Sequence, residues 1–220
     1  GTLFGRNSTG GAVNVTTRKP TGELGGRVEV SVGNDGYRRL TGSVDLPQMA
    51  DMLSVKISGS KMEYDGWATN EFPGVNPDLA SEDNSSYRVA LRLEPTEGLT
   101  IDYAYDDTDN TGVPTPFQVT KVKDSIYNGF TTTPFPYTFL GGDIFQQMAA
   151  TVGDPNKRRE TFMLEGSSEE WLEVQGHNLT VAWELDPFTI KYIYANRDTD
   201  SGYDSTDLDG GAYTMRDLLY

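Results

Sequence analysis

The sequence predicts an all-β chain, an antiparallel meander whose sheet forms part of a transmembrane β-barrel. Three observations predict it. Apolar and polar residues alternate with a period of two through seven segments bounded by turn residues. None of the apolar-face residues named below is charged, a sorting that lipid would select and a sandwich core would select too. After the first hairpin the connections alternate between short and long. Outer-membrane barrels arrange their two ends this way, and a soluble sandwich has no reason to.

The first strand spans 25–33 and sets Val28, Val30 and Val32 on one face. Asn34-Asp35-Gly36 turns the chain, because Asn and Gly accept positive φ cheaply. The second strand, 37–46, aligns Leu40, Gly42, Val44 and Leu46. A short connection at 47–51 leads to the third, 52–64, with Leu53, Val55, Ile57 and Gly59. A polar stretch at 65–85 reads as a loop. The fourth strand is 86–94, turned back by Pro95 to Gly98, and the fifth is 99–106. Residues 107–168 show no sustained period and read as a very long loop. The sixth strand ends with Leu179, Val181, Trp183 and Leu185, Asp186-Pro187 is a minimal turn, and Phe188, Ile190, Tyr192 and Tyr194 line the seventh. Seven is odd, whereas single-chain bacterial barrels close on even numbers from 8 upward. The expectation is a piece of a longer chain.

Composition excludes several classes of function. The 220 residues contain no Cys, hence no disulfide framework, thiolate metal site or thiol nucleophile. The single His is the one candidate imidazole base. A net charge of −15 argues against nucleic acid, whose phosphates call for clustered Lys and Arg. Apolar residues make up only 36%, while aromatics reach 11%. A sheet with one face toward lipid and the other toward water has that modest apolar total.

Residues 1–20 form a glycine-punctuated loop followed by a short strand, Ala12 to Thr17. Gly10-Gly11 permits a sharp bend. The segment lacks the Gly-Lys-Ser/Thr ending and following helix of a phosphate-binding loop. The run Gly1-Thr2-Leu3-Phe4-Gly5-Arg6-Asn7-Ser8-Thr9-Gly10-Gly11-Ala12, with its Arg18-Lys19-Pro20 exit, closely resembles the end of the plug domain in TonB-dependent outer-membrane receptors. The plug-motif residues are Gly1, Phe4, Gly5, Arg6, Asn7, Gly10 and Gly11. The Asp186-Pro187-Phe188 turn and the run from Tyr194 to Ser201 resemble early barrel strands of the siderophore-receptor type.

The resemblance implies a plugged barrel of about 22 strands, for which roughly 25 residues per strand require about 550 in all. Residues 1–24 would end the plug and 25–220 would supply the first barrel strands. It implies TonB-dependent import of a ferric siderophore or similar iron complex in the bacterial outer membrane. The partners would be that ferric siderophore or another small nutrient, the inner-membrane TonB complex through parts outside these residues, and outer-membrane lipid and lipopolysaccharide. No cofactor, catalytic residue or nucleic acid is implied, and these residues alone would not transport. The other reading kept is a soluble or surface β-sandwich that binds carbohydrate or another partner.

Two residue groups are candidate ligand contacts. Phe117, Tyr127, Phe130, Phe135, Tyr137 and Phe139 fall in the long loop, where aromatics could stack on a flat ligand or pack the loop against itself. Arg27, Arg39, Lys56, Arg88, Arg92 and Lys191 fall opposite the apolar positions. Of these, Arg88 and Arg92 are the candidates for an anionic chelate, and the plainer alternative pairs them with acids of the plug. Asp106, Asp107 and Asp109 before Gly112, and Asp198, Asp200 and Asp204 around Gly202, have the alternate-Asp spacing of a calcium loop. Neither has the closing bidentate Glu, so they also read as solvated loop ends. No nucleophile motif surrounds a Ser near His177, which is expected near the outer end of the sixth strand.

Overall fold

The computed structural model describes residues 15–121, 152–164, 166 and 169–203. Among these residues the chain is all-β. Seven strands make one antiparallel sheet: β1 (Gly25–Val32), β2 (Arg38–Asp45), β3 (Leu53–Tyr64), β6 (Glu82–Thr96), β7 (Leu99–Gly112), β9 (Glu170–Leu185) and β10 (Phe188–Tyr203). They pair in chain order, as a meander should. Between them lie three short strands, β4 (Ala68–Asn70), β5 (Asp78–Leu79) and β8 (Thr161–Phe162), which form a second sheet in the order β5-β4-β8.

After the first hairpin the connections sort by length onto two ends. Residues 46–52, 97–98 and 186–187 close one end; the connection 65–81 and the long one that leaves β7 after Gly112 belong to the other, which also carries the five-residue turn 33–37. At the first turn Asp35 and Gly36 both take positive φ, 54° and 69°, the conformation its Asn-Asp-Gly sequence permits. Asp186 and Pro187 join β9 to β10 across a cis peptide bond.

Several strands are longer than their apolar alternation suggests. β6 begins at Glu82, inside the expected loop 65–85, and runs through Pro95 to Thr96 with a register irregularity after Leu93. Only Glu97 and Gly98 are left as the turn. β7 continues from Tyr105 to Gly112, so the long connection starts at 113 rather than 107. The physical reason is that ladder hydrogen bonds come from the backbone. Pairing therefore continues where both faces have turned polar.

Register fixes which residues share a face. Val44, Ile57, Val89, Tyr105 and His177 succeed one another across five strands. Below them run Val55, Leu91, Tyr103, Leu179 and Tyr194, then Leu53, Leu93, Ile101, Val181 and Tyr192, then Leu99, Trp183 and Ile190. This band has no second layer among the described residues, and Ile190, Tyr192 and Trp183 are about half exposed, at 50%, 56% and 47%. Toward the long-loop end the same face turns charged, through Lys61, Ser85, Asp109, Glu173 and Asp200.

The opposite face is small and polar. One row reads Arg27, Ser43, Ser58, Arg88, Asp106, Gly176 and Arg197. The next reads Asp45, Lys56, Ala90, Ala104, Asn178 and Ala195. Met62, Val174, Leu172 and Ile193 are its larger apolar exceptions. The compact apolar cluster of the chain lies in neither face. It sits in the second sheet, where Ala68, Leu79, Val113, Phe162 and Leu164 pack together under Trp67.

Candidate functional site

The polar face of the main sheet is the candidate site, because the N-terminal segment crosses it and its charged groups are organised. The segment is held at four points. Lys19 Nζ lies 3.2 Å from Asp102 Oδ2. The Thr21 amide donates to Asp45 Oδ1 at 3.1 Å, and the Gln48 amide donates to the Gly22 carbonyl at 2.7 Å. Arg88 Nη2 reaches Thr17 Oγ1 at 3.4 Å. Gly22 takes φ +74°, and a Cβ there would stand 2.8 Å from Ser54 Oγ, itself buried. Only glycine lets the backbone pass this close in that conformation. Pro20 is buried beside these contacts.

Besides the exposed Arg27–Glu29 pair on β1, three ion-pair groups are built into this face. Lys56 Nζ meets Asp45 Oδ2 at 2.8 Å between adjacent strands. Arg92 donates both Nε and Nη2 to the two oxygens of Asp102, at 2.8 and 3.0 Å, a forked pairing that fixes orientation as well as charge. Arg88 Nη1 meets Asp106 Oδ1 at 2.9 Å, and Arg197 Nη2 reaches Asp106 Oδ2 at 2.8 Å. Asp102 and Asp106 of β7 thus each receive two cations, Lys19 and Arg92 at Asp102, Arg88 and Arg197 at Asp106.

These contacts revise the sequence reading in detail. Arg88 and Arg92 do face the polar side, but their acids come from the neighbouring strand β7. The N-terminal segment supplies a cation, Lys19, rather than a carboxylate. Phe117 stands 71% exposed in the connection after β7. Its neighbour Gln118 is turned inward, accepting from the Arg159 amide and donating to the Asp154 and Lys157 carbonyls. Tyr127, Phe130, Phe135, Tyr137 and Phe139 lie outside the described residues, as do Gly1, Phe4, Gly5, Arg6, Asn7, Gly10 and Gly11.

The calcium-loop spacing is overturned where it is described. Asp106, Asp107 and Asp109 belong to extended β7, so Asp106 points away from the other two, and Asp198 and Asp200 belong to β10. Among the described residues no group of three or more His, Asp or Glu is placed to hold a metal ion. His177 lies midway along β9, seven residues from the long-connection end at Glu170 rather than near it. It sits at the upper edge of the apolar band, with Nδ1 2.8 Å from the Tyr103 hydroxyl and its ring 4.9 Å from that of Tyr105. Tyr87 continues this aromatic edge, 5.9 Å from Tyr105.

Sequence reasoning missed the order in the long connections. The Asn70 amide accepts from the Leu164 N–H at 2.9 Å and donates to the Leu164 carbonyl at 2.8 Å, joining two loops 94 residues apart. Arg158 stacks 4.4 Å over Trp67, whose ring meets Phe162 edge-on. Two-residue strands give no periodicity, so an isolated Asn beside a Trp was the available signal. An open cleft of about 420 Å³ nearby is lined by Arg38, Glu63, Asp65, Asp78, Glu82 and Glu169. Arg38 is paired with Glu63 there, leaving the cleft strongly acidic and unsuited to an anion. No protein-family model matches the sequence.

Proposed function

We propose that these residues form part of the wall of an outer-membrane β-barrel, with the end of a plug lying across its lumenal face. The whole protein would be a TonB-dependent importer of a ferric siderophore or similar iron complex. The observation that carries this reading is the assignment of the two sheet faces. A soluble sandwich buries its apolar face and wets its polar one. Here no second layer among the described residues covers the apolar band, where Trp183, Ile190 and Tyr192 stand about half exposed, whereas the polar face carries the N-terminal segment on the Lys19–Asp102 ion pair and on hydrogen bonds.

The apolar positions span nine residues of β9, His177 to Leu185, which reaches the roughly 9–11 tilted residues that cross a membrane, and seven of β7, Leu99 to Tyr105, which is shorter. Tyr87, Tyr105 and His177 mark one edge as an interfacial aromatic girdle would, and charged residues take over beyond it. The long connections then extend from the outer surface, and the short turns face the periplasm. Import and the iron ligand rest on the resemblance of residues 1–20 to a plug terminus. Residues 1–24 belong to the plug in this reading and 25–220 to the barrel.

The test is fractionation of cells with an antibody to this segment, followed by denaturing gels with and without boiling. The reading expects an outer-membrane band much larger than 24.2 kDa whose mobility shifts on heating. A soluble band near that mass with no heat shift would favour the carbohydrate-binding sandwich.

A further inference from the structure

We infer that the rung formed by Arg88, Asp106 and Arg197 is a binding site for a small oxyanion, a carboxylate or phosphate carried by a solute in the lumen. The inference rests on the barrel reading, since it needs the polar face to line an enclosed aqueous space. Among the described residues, Arg88 and Arg197 share Asp106 as their only carboxylate, one guanidinium on each oxygen. Two permanent cations therefore face one anion, in a chain whose net charge is −15. A surplus cation is suited to meet something anionic, and guanidinium groups match planar oxyanions with paired donors.

Among the described residues no carboxylate other than Asp106 pairs with either guanidinium. In the row next toward the loops, Thr41, Ser60, Ser86, Thr108, Val174 and Thr199 are neutral, and its carboxylate, Glu29 on β1, is already paired with Arg27 at 2.6 Å. Residues 1–14 contain no Asp or Glu, only Arg6. At the matching cluster around Asp102 the second cation is Lys19 of the N-terminal segment itself, whereas at the Asp106 rung the segment contributes a neutral hydroxyl, Thr17 Oγ1, 3.4 Å from Arg88 Nη2. The Asp106 rung lies about 13 Å further along β7, four residues at the antiparallel rise. There the side chain of Arg197 is 62% exposed and free to turn a donor edge toward the lumen.

The test titrates the full-length protein, purified from outer membranes, with citrate and in a parallel arm with inorganic phosphate, by calorimetry. Wild type should bind at least one of them saturably, and the arm that responds names carboxylate or phosphate as the ligand chemistry. Arg197→Gln and Arg88→Gln should each weaken that binding about tenfold. Asp106→Asn should keep or tighten it, because it removes the competing carboxylate. Equal weakening by Asp106→Asn would mean a purely structural rung and overturn the inference. So would unchanged affinity in Arg197→Gln, or no binding of either anion, in a protein that still shows the heat shift. Loss of the heat shift in the wild type would overturn the barrel reading instead, and the inference with it.

Discussion

Asp106 on β7 and Arg197 on β10 form a 2.8 Å ion pair across the full width of the intervening strand β9. Gly176 makes it possible. A Cβ at that position would stand 2.9 Å from Asp106 Oδ2 and 3.1 Å from Arg197 Nη2, in the line between them. Removing the obstruction from β9 lets a cation two strands away share a carboxylate that Arg88 already holds.

Gly176→Ala should therefore cost little stability while separating the pair. The pair is largely exposed on the Arg197 side and worth at most about 1 kcal/mol. Replacing glycine within a strand returns about 0.5–1 kcal/mol. Thermal loss of the heat-resistant barrel form should move by less than about 1 kcal/mol, and a drop of several would show that Gly176 holds more than this contact.

The two faces should tolerate charge very differently. Leu179→Arg puts a cation in the middle of the apolar band and should cost about 2–4 kcal/mol, with reduced assembly in the membrane. Thr180→Lys, one residue on, lies beside Asp102 on the polar face and should cost less than about 1 kcal/mol. Equilibrium unfolding of both variants in lipid vesicles measures the contrast.

Asn70→Ala should open the second sheet without disturbing the first. It strands the buried N–H and carbonyl of Leu164, at about 1–3 kcal/mol for each unsatisfied group. Hydrogen exchange at Thr161 to Leu164 should accelerate strongly while exchange in β7 and β9 stays unchanged. Equal exchange in the variant and wild type would show that the clip is not what joins the loops.

Asp102 should matter more than Lys19 to the docking of the N-terminal segment. Lys19→Met removes one half-exposed cation and should cost about 1 kcal/mol or less. Asp102→Asn leaves both Arg92 and Lys19 facing a neutral group in a largely enclosed position, and should cost about 2–3 kcal/mol. Maleimide labelling of a Thr21→Cys variant reports release of the segment, and should rise in Asp102→Asn well before it rises in Lys19→Met.

What the sequence revealed divides along a physical line. The hairpins from Gly25 to Tyr64 and from Trp183 to Tyr192 were legible because a two-sided environment imposes a period of two, and because Asn-Asp-Gly and Asp-Pro mark their turns. The strand ends at 82–85, 107–112 and 195–203 were not, since both faces are polar there and only the backbone ladder keeps them extended. That is why Asp107, Asp109, Asp198 and Asp200 looked like loop ligands. The candidate site was half legible. Position placed Arg88 and Arg92 on the polar face, but their partners on β7 depend on register between strands. Arg197 escaped notice because its contact requires a glycine in a third strand. The Asn70–Leu164 clip depends on two loops meeting across 94 residues, which no local pattern encodes.

The most direct test of the account is the polarity of β10 in a membrane. The sequence has no Cys, so each single cysteine placed at 188–195 in the full-length protein gives one labelling site within these residues. With nitroxides attached and the protein in lipid vesicles, collision rates with oxygen and with a water-soluble nickel chelate are compared residue by residue. The account predicts oxygen-dominated collisions at 188, 190, 192 and 194 and chelate-dominated collisions at 189, 191, 193 and 195. Chelate access at every position, or an inverted alternation, would contradict a sheet whose apolar face meets lipid.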